Sequence, residues 1–149
     1  MIVDDKLMKY VIFKRRTEKE VRQKCQKLQY TEEYIEEVIE YLTENNYIND
    51  KIYVEKYIHN TIRLKTSSIY EIKVDLLRRG INEEYIEEYL NKNFIELEEY
   101  EHESAIKLAR KKDGNAELEK IKKYLLSKGY RYDSISVAID NLKEMKDNI

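Results

Sequence analysis

Two stretches of this chain spell almost the same word. Residues 31–39 read TEEYIEEVI and residues 82–90 read NEEYIEEYL, with six consecutive letters identical at an offset of 51. The match runs backwards as well: Thr17, Glu20, Val21 and Cys25 stand over Ser68, Glu71, Ile72 and Leu76. A fainter third copy sets Gly129 over Gly80 at an offset of 49, with RYDSISVAI at 131–139 over the NEEYIEEYL segment. Such a period marks a chain made by stacking one supersecondary unit, because each unit leaves an apolar face that only its neighbour can cover.

The unit itself reads as three helices. Its middle helix opens at Thr17 with Glu20 three residues on, a capping box, and Ser68 with Glu71 repeats it. In the third copy, Asn115 stands where the cap is expected. Val21, Cys25 and Leu28 follow at i, i+4 and i+7, one buried stripe. Turns are expected at Gln29–Tyr30, Gly80–Ile81 and Gly129–Tyr130. Glycine suits a left-handed C-terminal cap; Gln29 lacks that freedom, which points to a differently built first turn. The third helix opens at Thr31 and buries Ile35, Val38, Ile39 and Leu42, with Ile86, Tyr89 and Leu90, then Ile135, Ala138, Ile139 and Leu142, as equivalents. The first helices of the units are expected over roughly 4–14, 50–65 and 98–112. The chain has no proline and three glycines, and no segment alternates as a strand does. The expectation is an all-α chain of about nine helices: three-helix repeats over 1–52, 53–96 and 97–149, stacked as an elongated curved solenoid.

Charge narrows the function. Charged residues make up 39% of the chain, yet 28 basic side chains face 30 acidic ones. A dedicated duplex-binding domain carries a basic excess, so any nucleic-acid site here has to come from segregated charge. Cys25 is the one cysteine, which excludes an intrachain disulfide and reads as a core side chain. No stretch is apolar enough to span a bilayer and the N-terminus lacks a secretory layout, so a cytoplasmic protein is expected.

The residues resemble a known family. Lys14-Arg15-Arg16-Thr17-Glu18-Lys19-Glu20-Val21, then Tyr47-Ile48-Asn49-Asp50 with Tyr53, Tyr57 and Ile58, then a basic helix from Arg63 and Lys65 through Glu71, Ile72 and Leu76 to Arg78-Arg79-Gly80-Ile81, are similar to RecX. Leu125-Leu126-Ser127-Lys128-Gly129-Tyr130 is similar to that family's third repeat. The chain departs from the family in lacking proline beside Thr17 and glycine before Ser68. The resemblance implies a non-enzymatic regulator of recombination and DNA repair. Its partner would be the RecA recombinase filament on DNA, whose ATP hydrolysis and strand exchange it suppresses. It further implies no catalytic residue and no cofactor.

Glu32, Glu33, Glu36 and Glu37 share the face of a helix opposite Ile35, Val38 and Ile39, as a solvated face does. His59 and His102 have no cysteine partner at ligand spacing, and neither a metal site nor a phosphate loop is expected. Most of the 14 tyrosines read as structural, with Tyr34 and Tyr85 equivalent by the repeat. The basic clusters are the functional candidates: Lys14, Arg15 and Arg16; Arg63 and Lys65; Arg78 and Arg79; Arg110, Lys111 and Lys112. A helix dipole alone favours cations at C-termini. Recurrence at matching corners, Lys14 over Lys65, instead suggests a basic stripe meeting acidic patches or phosphates of a filament. A monomer with weak DNA affinity fits that reading; a helical nucleic-acid-binding module is the alternative.

Overall fold

The computed structural model describes residues 2–64, 66–113 and 117–148. Among the described residues there are nine helices and no strand: α1 (Asp5–Phe13), α2 (Glu18–Lys27), α3 (Glu32–Glu44), α4 (Asp50–Leu64), α5 (Ile69–Arg78), α6 (Glu83–Lys92), α7 (Phe94–Lys112), α8 (Leu118–Ser127) and α9 (Tyr132–Asp147). They run as tandem sets of three. Among the described residues no helix is long and apolar enough to cross a membrane.

Local chemistry sets most of the boundaries. Asp4 opens α1 by accepting the Lys6 amide (2.9 Å), and Thr31 opens α3 by accepting that of Tyr34 (3.2 Å). Asn49 accepts the Ile52 amide at the start of α4, and Asn82 the Glu84 amide at the start of α6. Each side chain satisfies one of the first-turn amides that a helix leaves without an internal partner. α7 begins at Phe94, four residues ahead of the expected start near 98. Asn93 precedes it without capping it; its side-chain amide donates to the Tyr89 carbonyl and closes α6 instead. Asn115 lies outside the described residues. Glu117 stands at the cap of α8 and makes no side-chain cap bond.

The three turns corrected one expectation. Gln29 sits in the left-handed region at φ 60°, with Gly80 and Gly129 at 87°. Tyr30, Ile81 and Tyr130 donate to the carbonyls of Cys25 (3.2 Å), Leu76 (3.1 Å) and Leu125 (3.2 Å). Gln29, Gly80 and Gly129 donate to those of Gln26, Leu77 and Leu126 at 3.0 Å each. All three are therefore the same Schellman closure. Gln29 accepts the backbone strain in the first, where its side chain is exposed to solvent.

The chain divides into two compact units, Met1–Tyr57 with Leu76–Glu87, and Ile58–Asp75 with Glu88–Ile149. The first is built on Leu7, Val11, Val21, Cys25, Ile35, Val38 and Leu42. Cys25 is fully buried there, and that burial pushes its thiol up, away from reactivity. The second packs Ala105 and Ala109 of α7 against α9 around Ile121, Leu125, Ile135, Ala138, Ile139 and Leu142. Alanines in both helices allow the close approach that makes α7 and α9 the most extensively packed pair.

Candidate interaction surface

The repeats are joined by their helix caps. At Thr17 the capping box is complete: its amide donates to Glu20 Oε1 (2.9 Å) and the Glu20 amide donates to Thr17 Oγ1 (3.2 Å). The same hydroxyl then donates outward to the Arg79 carbonyl (2.7 Å), just past the end of α5. One buried side chain thereby satisfies an orphan amide of α2 and an orphan carbonyl of α5. Gly80 follows directly, and a Cβ there would collide with Cβ and Cδ of Lys19, which lies across the turn. The Lys19 ammonium reaches the Arg78 carbonyl at 3.5 Å.

Ser68 repeats the arrangement. Its amide donates to Glu71 Oε1 (3.0 Å), the Glu71 amide donates to its Oγ (3.1 Å), and that hydroxyl donates to the Lys128 carbonyl (2.6 Å). A Cβ at Gly129 would meet the ring of Tyr70, the residue equivalent to Lys19. Beside this clasp the Ser67 amide donates to the Tyr100 hydroxyl, which donates back to the Ser67 carbonyl, both at 2.8 Å. Ser104 donates to the same carbonyl (3.3 Å) and lies 2.6 Å from the Tyr130 hydroxyl. Ser104 spends its one hydroxyl proton on that carbonyl, which leaves Tyr130 as the donor between them, and burial pushes the Tyr130 phenol up so that it keeps its proton.

Basic side chains gather at the first clasp. Lys14 and Arg15 are exposed on the corner between α1 and α2, and Arg78 is exposed at the end of α5. The Thr17–Arg79 bond holds that corner and that helix end together. Arg16 and Arg79 belong to the packing as much as to the surface. Arg16 stacks over the Tyr10 ring at 3.8 Å and donates from Nε to the Tyr10 carbonyl (3.1 Å). Arg79 lies 4.9 Å from the Tyr57 ring and donates from Nη1 to the Tyr53 hydroxyl (2.7 Å). Both rings carry the cation on their electron-rich face. Sequence reasoning missed Lys19, although the offset that pairs it with Tyr70 was available.

The other candidates lie in the second unit. Arg63 is exposed and lines a cleft with Thr66, Tyr100 and Lys107; Lys65 lies outside the described residues. Arg110, Lys111 and Lys112 are exposed at the end of α7. Arg110 donates from Nε to Asn141 Oδ1 (3.1 Å), and the Lys112 ammonium is 4.3 Å from the Tyr124 ring.

Acidic side chains near the first clasp are already engaged. Asp50 of α4 accepts the Glu18 amide (3.0 Å), and burial holds its carboxyl above the usual range. Arg22 binds Glu36 with both terminal nitrogens (2.6 and 3.2 Å) and Glu18 with Nε (3.0 Å). Hydrogen bonding from Arg22 holds the Glu36 carboxyl below the usual range. Lys14, Arg15, Lys19 and Arg78 face solvent at this corner.

Comparison with known proteins falls on the same elements. Residues 5–42, α1 through most of α3, match the family described as RecX, first three-helix domain. The crystal structure of RecX from Lactobacillus salivarius superposes with a TM-score of 0.79 at 30% identity, covering 93% of each chain. This chain belongs to the RecX family. Regulatory protein RecX of Lactococcus lactis subsp. cremoris (strain MG1363) is 36% identical over 141 residues, 90% of this chain and 52% of that protein. RecX of Clostridium perfringens (strain 13 / Type A) is 35% identical over 136 residues, 85% of this chain and 62% of its own length. The chain thus spans roughly half to two thirds of these RecX proteins. The family resemblance read from the Thr17 box and the Arg78-Arg79-Gly80 turn is confirmed.

Proposed function

We propose that this chain is a non-enzymatic regulator of homologous recombination that binds the RecA–DNA filament and inhibits its ATPase and strand exchange. Membership in a family of regulatory proteins supports the reading. The observation that carries it is the gathering of Lys14, Arg15, Lys19 and Arg78 at one buried clasp between helices. The Thr17 hydroxyl bonded to the Arg79 carbonyl holds the corner against the end of α5, so these cations meet a partner as a patch. The clasped three-helix sets α1–α3, α4–α6 and α7–α9 serve as the frame, acting as a monomer in the cytoplasm with at most weak DNA affinity of its own.

The mechanism is a difference in affinity. A ligand shifts a conformational equilibrium only as far as it prefers one state. A frame that binds RecA subunits best in a state unable to hydrolyse ATP inhibits without a catalytic group. Exposed charges set the rate of encounter, so losing one costs little and losing several slows association.

The test is DNA-stimulated ATP hydrolysis by RecA from the same source, with increasing amounts of this protein. Inhibition at well below one molecule per RecA subunit is expected. Changing Lys14, Arg15, Arg63 and Arg78 together to glutamate should abolish it while leaving the fold intact. No inhibition, together with no binding to RecA-coated DNA, would sink the reading. Binding to bare DNA that falls steeply with salt would favour the nucleic-acid module instead.

A further inference from the structure

The second unit carries a constellation that the sequence reading passed over. Glu98 and His102 are one turn apart on α7, and Asp133 lies in the first turn of α9. One ligand atom from each falls within 4.8 Å of the others. His102 Nε2 is shut off from solvent and makes no hydrogen bond of ordinary length. An imidazole nitrogen closed to water and left unbonded is an unfavourable arrangement unless something else occupies its lone pair.

The nearest carboxylate oxygen, Asp133 Oδ2, is 3.5 Å away. That is long for a hydrogen bond. It is close to the separation, about 3.4 Å, of two ligands on one tetrahedral ion with bonds near 2.1 Å. The local charge agrees. Arg131 is drawn to Glu101, whose Oε1 accepts the Arg131 amide (2.9 Å) and whose Oε2 lies 3.5 Å from its Nε. Arg131 also approaches Asp133 Oδ1 at 3.9 Å. Glu98, Glu101 and Asp133 against Arg131 leave an excess of two acidic groups around the His102 ring.

We infer that Glu98, His102 and Asp133 form a site for a divalent transition-metal ion of the zinc class, which ties α7 to α9. One imidazole and two carboxylates from two helices are a three-ligand donor set that leaves a fourth position for water or a partner's side chain. The rival arrangement is a plain ion pair between a protonated His102 and Asp133, which needs no metal.

The chain's two histidines make the test selective. His59 is exposed on α4 and serves as the internal control. Zn²⁺ is titrated into the full chain while the imidazole ring protons are followed by NMR. The His102 signals should move and saturate at one ion per chain, with His59 unmoved. The thermal midpoint should rise with Zn²⁺. Glu98→Gln and Asp133→Asn, both at solvent-accessible positions, should each weaken binding by at least about tenfold. Histidines that shift together, a titration without saturation at one equivalent, or Asp133→Asn retaining full affinity would each overturn the site.

Discussion

The clasps at Thr17 and Ser68 use one backbone device and surround it with different side chains. In both, a buried hydroxyl accepts from the amide three residues on and donates to a carbonyl just ahead of a left-handed glycine. The first is edged by Lys14, Arg15, Lys19 and the exposed Arg78. The second has Tyr70 where the first has Lys19, and it leans on the hydroxyl network of Tyr100, Ser104 and Tyr130. Joining repeats fixes the cap and the glycine, because both must fit one backbone geometry. The residues around them are free to carry charge in one place and packing in the other.

The largest way to break this comparison is at the glycines. Gly80→Ala and Gly129→Ala each force a left-handed alanine, at roughly 1–2 kcal/mol, and push a Cβ into Lys19 or Tyr70. With about 1–3 kcal/mol more for overpacking, each variant should lose about 2–5 kcal/mol in urea unfolding. A loss at only one of the two would show that the clasps are not equivalent.

Next in size are the hydroxyls. Thr17→Ala and Ser68→Ala remove a cap worth about 1 kcal/mol and leave a part-buried carbonyl without its donor, up to about 1–2 kcal/mol more. Thr17→Ser keeps both bonds and should stay within about 1 kcal/mol of the parent. If Ser68→Ala proves harmless while Thr17→Ala does not, the tyrosine network and not the cap holds the second junction.

The smallest effect sharpens the contrast with the turn at Gln29. No Cβ collision arises at this exposed residue, so only its φ of 60° carries a cost. Gln29→Gly should raise stability by up to about 1 kcal/mol, the opposite sign from the glycine replacements. A loss of stability instead would show that the Gln29 side chain contributes something beyond the turn.

Much of this fold was legible early because it is local or repeated. The offset of 51, the Thr17 and Ser68 boxes and the absence of proline gave the helices and the three-helix period. The first turn was misjudged because glycine preference is a tendency, and Gln29 pays a modest strain for the same hydrogen bonds. Of the candidate surface, the basic clusters were found as letters. That Arg16 and Arg79 lie against Tyr10 and Tyr57 was not, since stacking on a ring depends on where distant helices come to rest.

The sequence by itself determined the helices, their caps, the period that stacks them and, through the repeat, the RecX likeness. These follow from interactions within a turn or two, or from one pattern written more than once. Only the tertiary structure decided that a cap hydroxyl reaches the carbonyl of Arg79 or Lys128, some sixty residues away. Only it decided that His102 and Asp133 face each other. Those contacts come from helix packing, and nothing in the spacing of the letters encodes which distant groups the packed helices bring within reach.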